Sequence, residues 1–276
     1  MYAGITIMHY PPKRTDDVYR HIREVLVPHH EQLKSQGLRD ALFLVNPESC
    51  QGIGIAIWDD PAKLREVEKG NTREQARAMR DPGSAPTEYA RLRAQWVEDL
   101  AGGIVSTDWY EVAGQLSSAS GSVLFPSAPG YRGKEAYAGI TIMHYPPKRT
   151  DDVYRHIREV LVPHHEQLKS QGLRDALFLV NPESCQGIGI AIWDDPAKLR
   201  EVENGNTREQ ARAMRDPGSA PTEYARLRAQ WVEDLAGGIV STDWYEVAGR
   251  ISAGAPPSTT TPYKGKGKSS TTSTWP

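Results

Sequence analysis

The stretch YAGITIMHY, residues 2–10, decides the fold, because it returns unchanged at residues 137–145. The match runs without a break through residues 2–114 and 137–249, and only one pair of positions differs, Lys69 against Asn204. The chain is therefore a tandem duplication of a single α+β unit. Copies this similar separated recently, were joined by engineering, or reflect sequence assembly.

Two segments lie outside the repeats. Residues 115–136 are rich in Ser, Gly, Ala and Pro, which is typical of a flexible linker. A coil of that length spans about 25–28 Å, enough for two compact units to dock. Residues 250–276 contain mainly Ser, Thr, Pro, Gly and Lys, and we expect a disordered tail. The predicted domains are thus repeat 1, residues 2–114, and repeat 2, residues 137–249.

The overall composition is that of a globular protein with few special features. The formal net charge is -2 and the pI is near 6.5, so no nucleic-acid or anionic-membrane partner is expected. Each repeat has one cysteine, Cys50 or Cys185, so the sequence indicates neither a disulfide framework nor a thiolate metal cluster. The apolar stretches have the length of strands and no N-terminal signal is recognisable, so we expect a cytoplasmic protein.

Within one repeat the patterns predict the order βαββαβ, the ferredoxin-like arrangement. Pro28 lies inside the first helix and is expected to kink it, because proline removes a backbone donor. Asp59 or Asp60 before Pro61 starts a helix that we expect to be short. The predicted strands are residues 2–10, 40–45, 52–58 and 104–112, and the predicted helices begin near residues 15, 61 and 87.

The strands do not alternate apolar with polar residues, as a sheet with one solvated face would. In the third strand, for example, Ile53, Ile55 and Ile57 point one way while Gly54, Ala56 and Trp58 point the other. Both faces of the sheet therefore need cover. The helices cover one face, and the natural cover for the other is the sheet of the second repeat. We therefore predict that the two repeats form one intramolecular α/β barrel.

The unit resembles the antibiotic biosynthesis monooxygenase superfamily of dimeric α/β barrels. The resemblance covers residues 2–113 and 137–248, and it rests on GIGIAIWDDPAKL at residues 52–64 and EVLVPHHEQL at residues 24–33. It implies a pocket between sheet and helices in each unit. It also implies a cofactor-independent monooxygenase that acts on a small aromatic substrate, an anthrone- or hydroquinone-like phenol, without flavin or metal.

The resemblance calls for a base that helps to form a phenolate, and His29, with its counterpart His164, is the first candidate. His29 continues the apolar stripe of the first helix and is expected to face the sheet, and imidazole titrates near neutral pH. The alternative is a core histidine bonded to a backbone carbonyl. His30 is turned about 100° away by helix geometry, and we expect both His30 and His21 to be solvated.

Several aromatic side chains are candidates for the lining of such a pocket, with ordinary core packing as the alternative. Arg93 and Asn46 are candidates for orienting a substrate oxygen. His9, at the end of the first strand, could reach the mouth of the pocket. The predicted lining residues are Trp96, Trp231, Tyr89, Tyr224, Trp58, Trp193, His9 and His144.

Other activities of the superfamily fit the sequence less well. The haem-degrading members carry their iron-ligating histidine in the later helical region, where residues 89–92 read YARL without a histidine. No phosphate-binding loop, nucleophile elbow or zinc-binding motif is present. Two alternatives to the monooxygenase stay open: a barrel that binds an apolar ligand without catalysis, and an isomerase or cyclase on the same scaffold.

Overall fold

The computed structural model describes residues 1–81, 83, 87–100, 104–116, 136–216, 218, 222–235 and 239–251. Most of the predicted linker and tail lies outside these ranges. The predicted element order is confirmed in both repeats. Repeat 1 contains β1 Tyr2–His9, α1 Thr15–His21, α2 Val27–Leu33, β2 Leu38–Asn46, β3 Gln51–Trp58, α3 Pro61–Arg80, α4 Glu88–Leu100 and β4 Ile104–Leu116. Repeat 2 contains β5 Tyr137–His144, α5 Thr150–His156, α6 Val162–Leu168, β6 Leu173–Asn181, β7 Gln186–Trp193, α7 Pro196–Arg215, α8 Glu223–Leu235 and β8 Ile239–Ile251.

The strands form one closed antiparallel barrel in the order β1-β3-β2-β8-β5-β7-β6-β4. Two of its ladders join the repeats. β2 pairs with β8 from Ala41↔Ile251 to Val45↔Glu246, and β4 pairs with β6 from Glu111↔Val180 to Leu116↔Ala176. Closure leaves no strand with an unpaired edge in this sheet. The predicted intramolecular α/β barrel of two ferredoxin-like units is therefore confirmed.

The barrel explains why both faces of each strand are apolar. Leu42, Leu44 and Ile55 belong to a cluster that both repeats fill inside the barrel. Phe43 and Val45, from the alternate positions, pack outward against the helices of repeat 1. The core of the molecule thus has a shared central layer and one outer layer per repeat.

The last strand of each repeat is longer than predicted and extends into the other repeat. Gln115 and Leu116, expected in the linker, are the end of β4. Arg250 and Ile251, expected in the tail, are the end of β8, and Ile251 packs with the helices of repeat 1. The pairing partner on the other repeat holds these residues as strand, which the composition of the segment could not indicate.

The helix α3 was predicted to be short and is in fact twenty residues long. Its start is as predicted, since the Asp60 carboxylate accepts a hydrogen bond from the Ala62 backbone N–H at 2.7 Å. Its second half is polar and packs on α4 through small residues, with Ala78 beside Ala90 and Ala94. Alanine contacts of this kind do not produce the large apolar stripe that helix prediction relies on.

The irregularity expected at Pro28 takes the form of a π-helical turn, Ile22–Leu26, between α1 and α2. The Val27 backbone N–H donates to the carbonyl of Ile22, five residues back, instead of four. A π turn inserts one extra residue into the helix and rotates everything that follows by about 100°. The faces of α2 are therefore not those that an uninterrupted α-helix would have.

Candidate functional site

In each repeat, a pocket lies between the outer face of the sheet and the helices. The cavity volume is about 110 Å³ in repeat 1 and about 100 Å³ in repeat 2. An engineered apolar cavity of about 150 Å³ holds benzene, so the enclosed part of each pocket is close to the size of one aromatic ring. Each pocket is also open towards the surface, and a larger ligand would extend through this opening. The lining in repeat 1 is Gly4, Thr6, Met8, Val18, His21, Ile22, Leu26, His30, Phe43, Leu44, Gly52, Ile53, Gly54, Ile55, Ala56, Glu68, Asn71, Tyr89, Arg93 and Trp96.

The sheet supplies a floor of small residues. Gly54 of β3 lies at the centre, paired with Thr6 of β1 on one side and with Phe43 of β2 on the other. Gly4 and Gly52 lie next to this centre on the same outer face. Because these positions carry no side chain, the outer face of the sheet has a depression there, and the helices close over it.

The helices supply aromatic side chains and the polar groups. His21 stacks on Trp96 with ring centroids 4.0 Å apart and planes 3° from parallel. Glu68 and Asn71 come from α3, and Arg93 lies one turn after Tyr89 on α4. The pocket thus combines an apolar body with a small number of polar groups, as ligand sites in proteins usually do.

His30 is the base candidate that the structure brings to the pocket. Its Nδ1 lies 2.8 Å from the carbonyl oxygen of Leu26 and therefore carries the proton, donating it to that oxygen. The Nε2 atom then has the free lone pair. The ring planes of His30 and Phe43 are nearly perpendicular, with centroids 5.0 Å apart. His165 repeats this arrangement on Leu161 and Phe178.

His29, the base predicted from sequence, does not line the pocket. It stacks on Tyr89 with ring centroids 3.4 Å apart, and it lines an open groove outside the pocket between α2, α3 and α4. The expectation that His29 faces the sheet is wrong, and so is the expectation that His30 is solvated. The π turn is the reason, because the extra residue brings Leu26 and His30 inward in place of Val25 and His29. His164 stacks on Tyr224 in the same way.

His21 was expected to be exposed and is 8% exposed. It lies at the end of α1, where the same helix turns inward against Trp96. Helical spacing predicted that Val18 and Ile22 lie on the buried face of this helix. The buried face is wider than predicted and also includes His21, the residue before Ile22.

The other predicted lining residues divide into two groups. Tyr89 and Trp96 line the pocket of repeat 1, and Tyr224 and Trp231 line that of repeat 2. Trp58 and Trp193 do not, since each is 1% exposed within the packed layer between sheet and helices. Nor do His9 and His144, which are exposed at the ends of their strands and hydrogen-bond to Gln51 and Gln186. Asn46 accepts hydrogen bonds from the backbone of its own turn.

Burial keeps the imidazoles of the site uncharged at neutral pH. It lowers the pKa of His30 to about 4, against the opposing effect of the Leu26 hydrogen bond, and it lowers the pKa of His21 to about 4. The positive charge of Arg93 lowers both further. Burial also raises the pKa of the Glu68 carboxyl. Arg93 is therefore the fixed positive charge of the pocket.

Sequence reasoning missed Glu68 and Asn71 because both lie beyond the predicted end of α3. They follow Leu64 by four and seven residues, so they lie on the same face of the helix. Extending the helix past Val67 would have placed both towards the sheet. Within the described residues, no group of three or more His, Cys, Asp or Glu side chains is placed to hold a metal ion.

No protein-family model matches the sequence, and no curated protein matches it. Among solved structures, the chain is similar to the "putative monooxygenase" of Fusobacterium nucleatum subsp. nucleatum, with a TM-score of 0.58 and 8% identity over 91% of this chain and 94% of that one. It is also similar to an anthrone oxidase-like protein, with a TM-score of 0.51 and 15% identity over 92% and 93% of the two chains. At these identities the likeness shows the fold alone, a barrel of two ferredoxin-like α+β units, as predicted.

None of the described helices has both the length and the apolar character that crossing a membrane requires.

Proposed function

We propose that the protein is a cofactor-independent monooxygenase of small phenols, with one active site in the pocket of each repeat. The observation that carries this proposal is the position of His30: an uncharged imidazole, locked in one tautomer by Leu26, on the wall of an aromatic pocket of the size of one ring. The fold is shared with a protein described as anthrone oxidase-like, which supports the same class of substrate.

His30 acts as the base that removes the phenolic proton. Its Nε2 accepts the proton, and the resulting imidazolium and phenolate stabilise each other at short range in a largely apolar pocket. The cation of Arg93 adds to this stabilisation of the phenolate. The low pKa of free His30 is compatible with this role, because the negative charge of the phenolate raises the proton affinity of the imidazole.

The phenolate supplies the electrons for the reaction with dioxygen. The carbon atom para to the hydroxyl gains one oxygen atom, the C–H and O–H bonds break, and the second oxygen leaves as water. The substrate becomes a quinone, and its four electrons reduce the dioxygen completely. The aromatic walls, with Tyr89 and Trp96 in repeat 1, hold the ring in place during these steps.

The test is oxygen uptake by the full chain with phenol, 1-naphthol and anthrone as probes, together with mass analysis of the product. The expected result is consumption of dioxygen with formation of a quinone that contains one additional oxygen atom. A ligand that binds and returns unchanged would show a binding barrel, and conversion without oxygen uptake would show an isomerase or cyclase. Either result, or no binding of any probe, would overturn the proposal.

A further inference from the structure

Gly54, and its counterpart Gly189 in repeat 2, lies at the centre of the pocket floor without a packing reason to be glycine. A Cβ atom built on Gly54 would have its nearest neighbour, the Cδ1 atom of Phe43, at 3.8 Å, which is an ordinary contact. Gly54 is also not among the residues with a positive φ. Neither crowding nor backbone conformation therefore excludes a side chain at this position.

The neighbouring glycines of the floor differ in this respect. A Cβ atom at Gly4 would lie 3.1 Å from the Cδ1 atom of Leu64, and one at Gly52 would lie 3.1 Å from the Cγ atom of Met8. Both contacts are tight, so these two glycines are explained by the packing of the protein itself. Gly54 is the floor position whose empty space is not filled by the protein.

Glycine in the interior of a strand destabilises it, and it often marks a place where a ligand approaches the backbone closely. Gly54 lies in the middle of β3, with pairing partners on both sides. The cavity lies directly above it and is closed on the helical side by His30, Tyr89 and Trp96. A side chain at position 54 would extend from the floor into this cavity.

We propose that Gly54 and Gly189 determine ligand specificity: they leave space for a flat aromatic ring that lies face-on against the backbone of β3 or β7. The ligand class is therefore a planar aromatic molecule, because a flat ring can lie against a floor that carries no side chain while the aromatic rings above cover its other face. This inference rests on the proposed function only in taking the ligand to be aromatic, and it holds for a binding protein as well as for an enzyme.

The experiment is isothermal titration of 1-naphthol into the full chain and into the double variant Gly54→Val, Gly189→Val. Adding bulk to a filled space weakens binding, so we expect the affinity to fall by about tenfold or more. The melting temperature is expected to stay the same or to rise, because valine favours a strand more than glycine does. This combination of weaker binding and undiminished stability is not expected from a residue with a structural role alone.

The matched control is Gly70→Ala, Gly205→Ala, since a Cβ atom at either position has no neighbour within 4 Å. It should bind 1-naphthol as the parent does. If the valine variant does not fold, Gly54→Ala, Gly189→Ala replaces it, and a reproducible loss of affinity is expected there too. Unchanged affinity in a folded Gly54 variant, or no binding by the parent, would overturn the inference. If the Gly54 variant binds 1-naphthol more weakly and the parent binds it without consuming dioxygen, the proposed function is overturned and the inference about Gly54 stands.

Discussion

At the scale of single residues, His30 and His29 provide a test of which imidazole performs the chemistry. The double variant His30→Gln, His165→Gln removes the base and should reduce kcat/KM for 1-naphthol by about 100-fold or more, the usual contribution of a general base. The variant His29→Gln, His164→Gln should lose much less, since these residues lie behind Tyr89 and Tyr224. Steady-state oxygen uptake measures both, and equal losses would contradict the assignment.

The pH dependence of kcat/KM is an independent test of the role of His30. A base must be unprotonated in order to act, and burial lowers the pKa of His30 to about 4. We therefore expect kcat/KM to stay level as the pH falls from 8 to about 5, with no decrease near pH 6.5, in buffers where the chain stays folded. A decrease centred near the ordinary histidine value of about 6.5 would show that the base in the free protein is solvated, and would exclude His30 as placed here.

The buried histidines should also make the fold sensitive to acid. Burial lowers the pKa of six of them to about 3 or 4: His21, His29, His30, His156, His164 and His165. The unfolded chain takes up protons below pH about 6.5 while the folded chain does not, so stability falls as the pH drops from about 6.5 towards 4. At pH 5.5 each histidine costs on the order of 1 kcal/mol.

Urea unfolding at pH 7.5, 6.5 and 5.5 measures this effect. The free energy of unfolding should fall moderately between the first two values, because the unfolded histidines are already half protonated at pH 6.5, and about three times as steeply between the last two. In the variant His29→Phe, His164→Phe the fall should be smaller by the contribution of two histidines. An equal fall in parent and variant would show that these two rings are solvated in the folded protein.

At the scale of elements, the crossing of each last strand beneath the helix of the other repeat requires a glycine. A Cβ atom at Gly249 would lie 2.8 Å from the Cγ2 atom of Ile22 and 2.9 Å from that of Val27, and Gly114 has the same contacts with Ile157 and Val162. Gly249→Ala should therefore destabilise the protein by about 1–3 kcal/mol, as overpacking does. The Gly54→Ala variant is the control, because it adds the same methyl group without crowding.

Urea unfolding compares the two variants, and a fully stable Gly249→Ala protein would contradict this close packing.

The added methyl group of Gly249→Ala should also affect the pocket of repeat 1. Ile22 belongs to the pocket lining and rests against Gly249 of the other repeat. Binding of 1-naphthol should weaken in repeat 1 of this variant, and repeat 2 should keep its affinity.

The strands and helices also show which features of the fold and the site could be predicted from the sequence. Apolar residues on both faces of β2 and β3 were enough to predict the barrel, because a strand that is buried on two sides must pack against another layer on each side.

The residues of the site were predicted less well. Tyr89 and Trp96 lie on a regular helix, and their inward face could be derived from helical spacing. His29 and His30 lie after a π turn, and the spacing of apolar residues does not reveal its extra residue. Pro28 marks an irregularity in the helix but not the direction in which the following residues turn. Gly54 could be placed on the outer face, but its empty space depends on three strands at once.

At the scale of the whole molecule, the two repeats complete each other. From Glu111 to Leu116, β4 pairs along one edge with β6 of the other repeat, and side chains from both repeats fill the barrel interior. A single repeat, residues 1–116, would expose this apolar face and two unpaired strand edges. We therefore expect it to form a dimer in which the second copy takes the place of repeat 2, whereas the full chain should be a monomer.

Light scattering after size-exclusion chromatography measures both states, and thermal unfolding adds an independent reading. The melting temperature of the single repeat should rise with protein concentration, because folding and association are coupled. That of the full chain should not, because its linker makes the association intramolecular. In the single repeat, Gly114→Val should shift the dimer towards monomer, since residue 114 would meet Ile22 and Val27 of the second copy as Gly249 does in the full chain. A single repeat that stays a stable monomer would mean that the face inside the barrel does not need its cover, and the explanation of the duplicated chain as one closed barrel would fail.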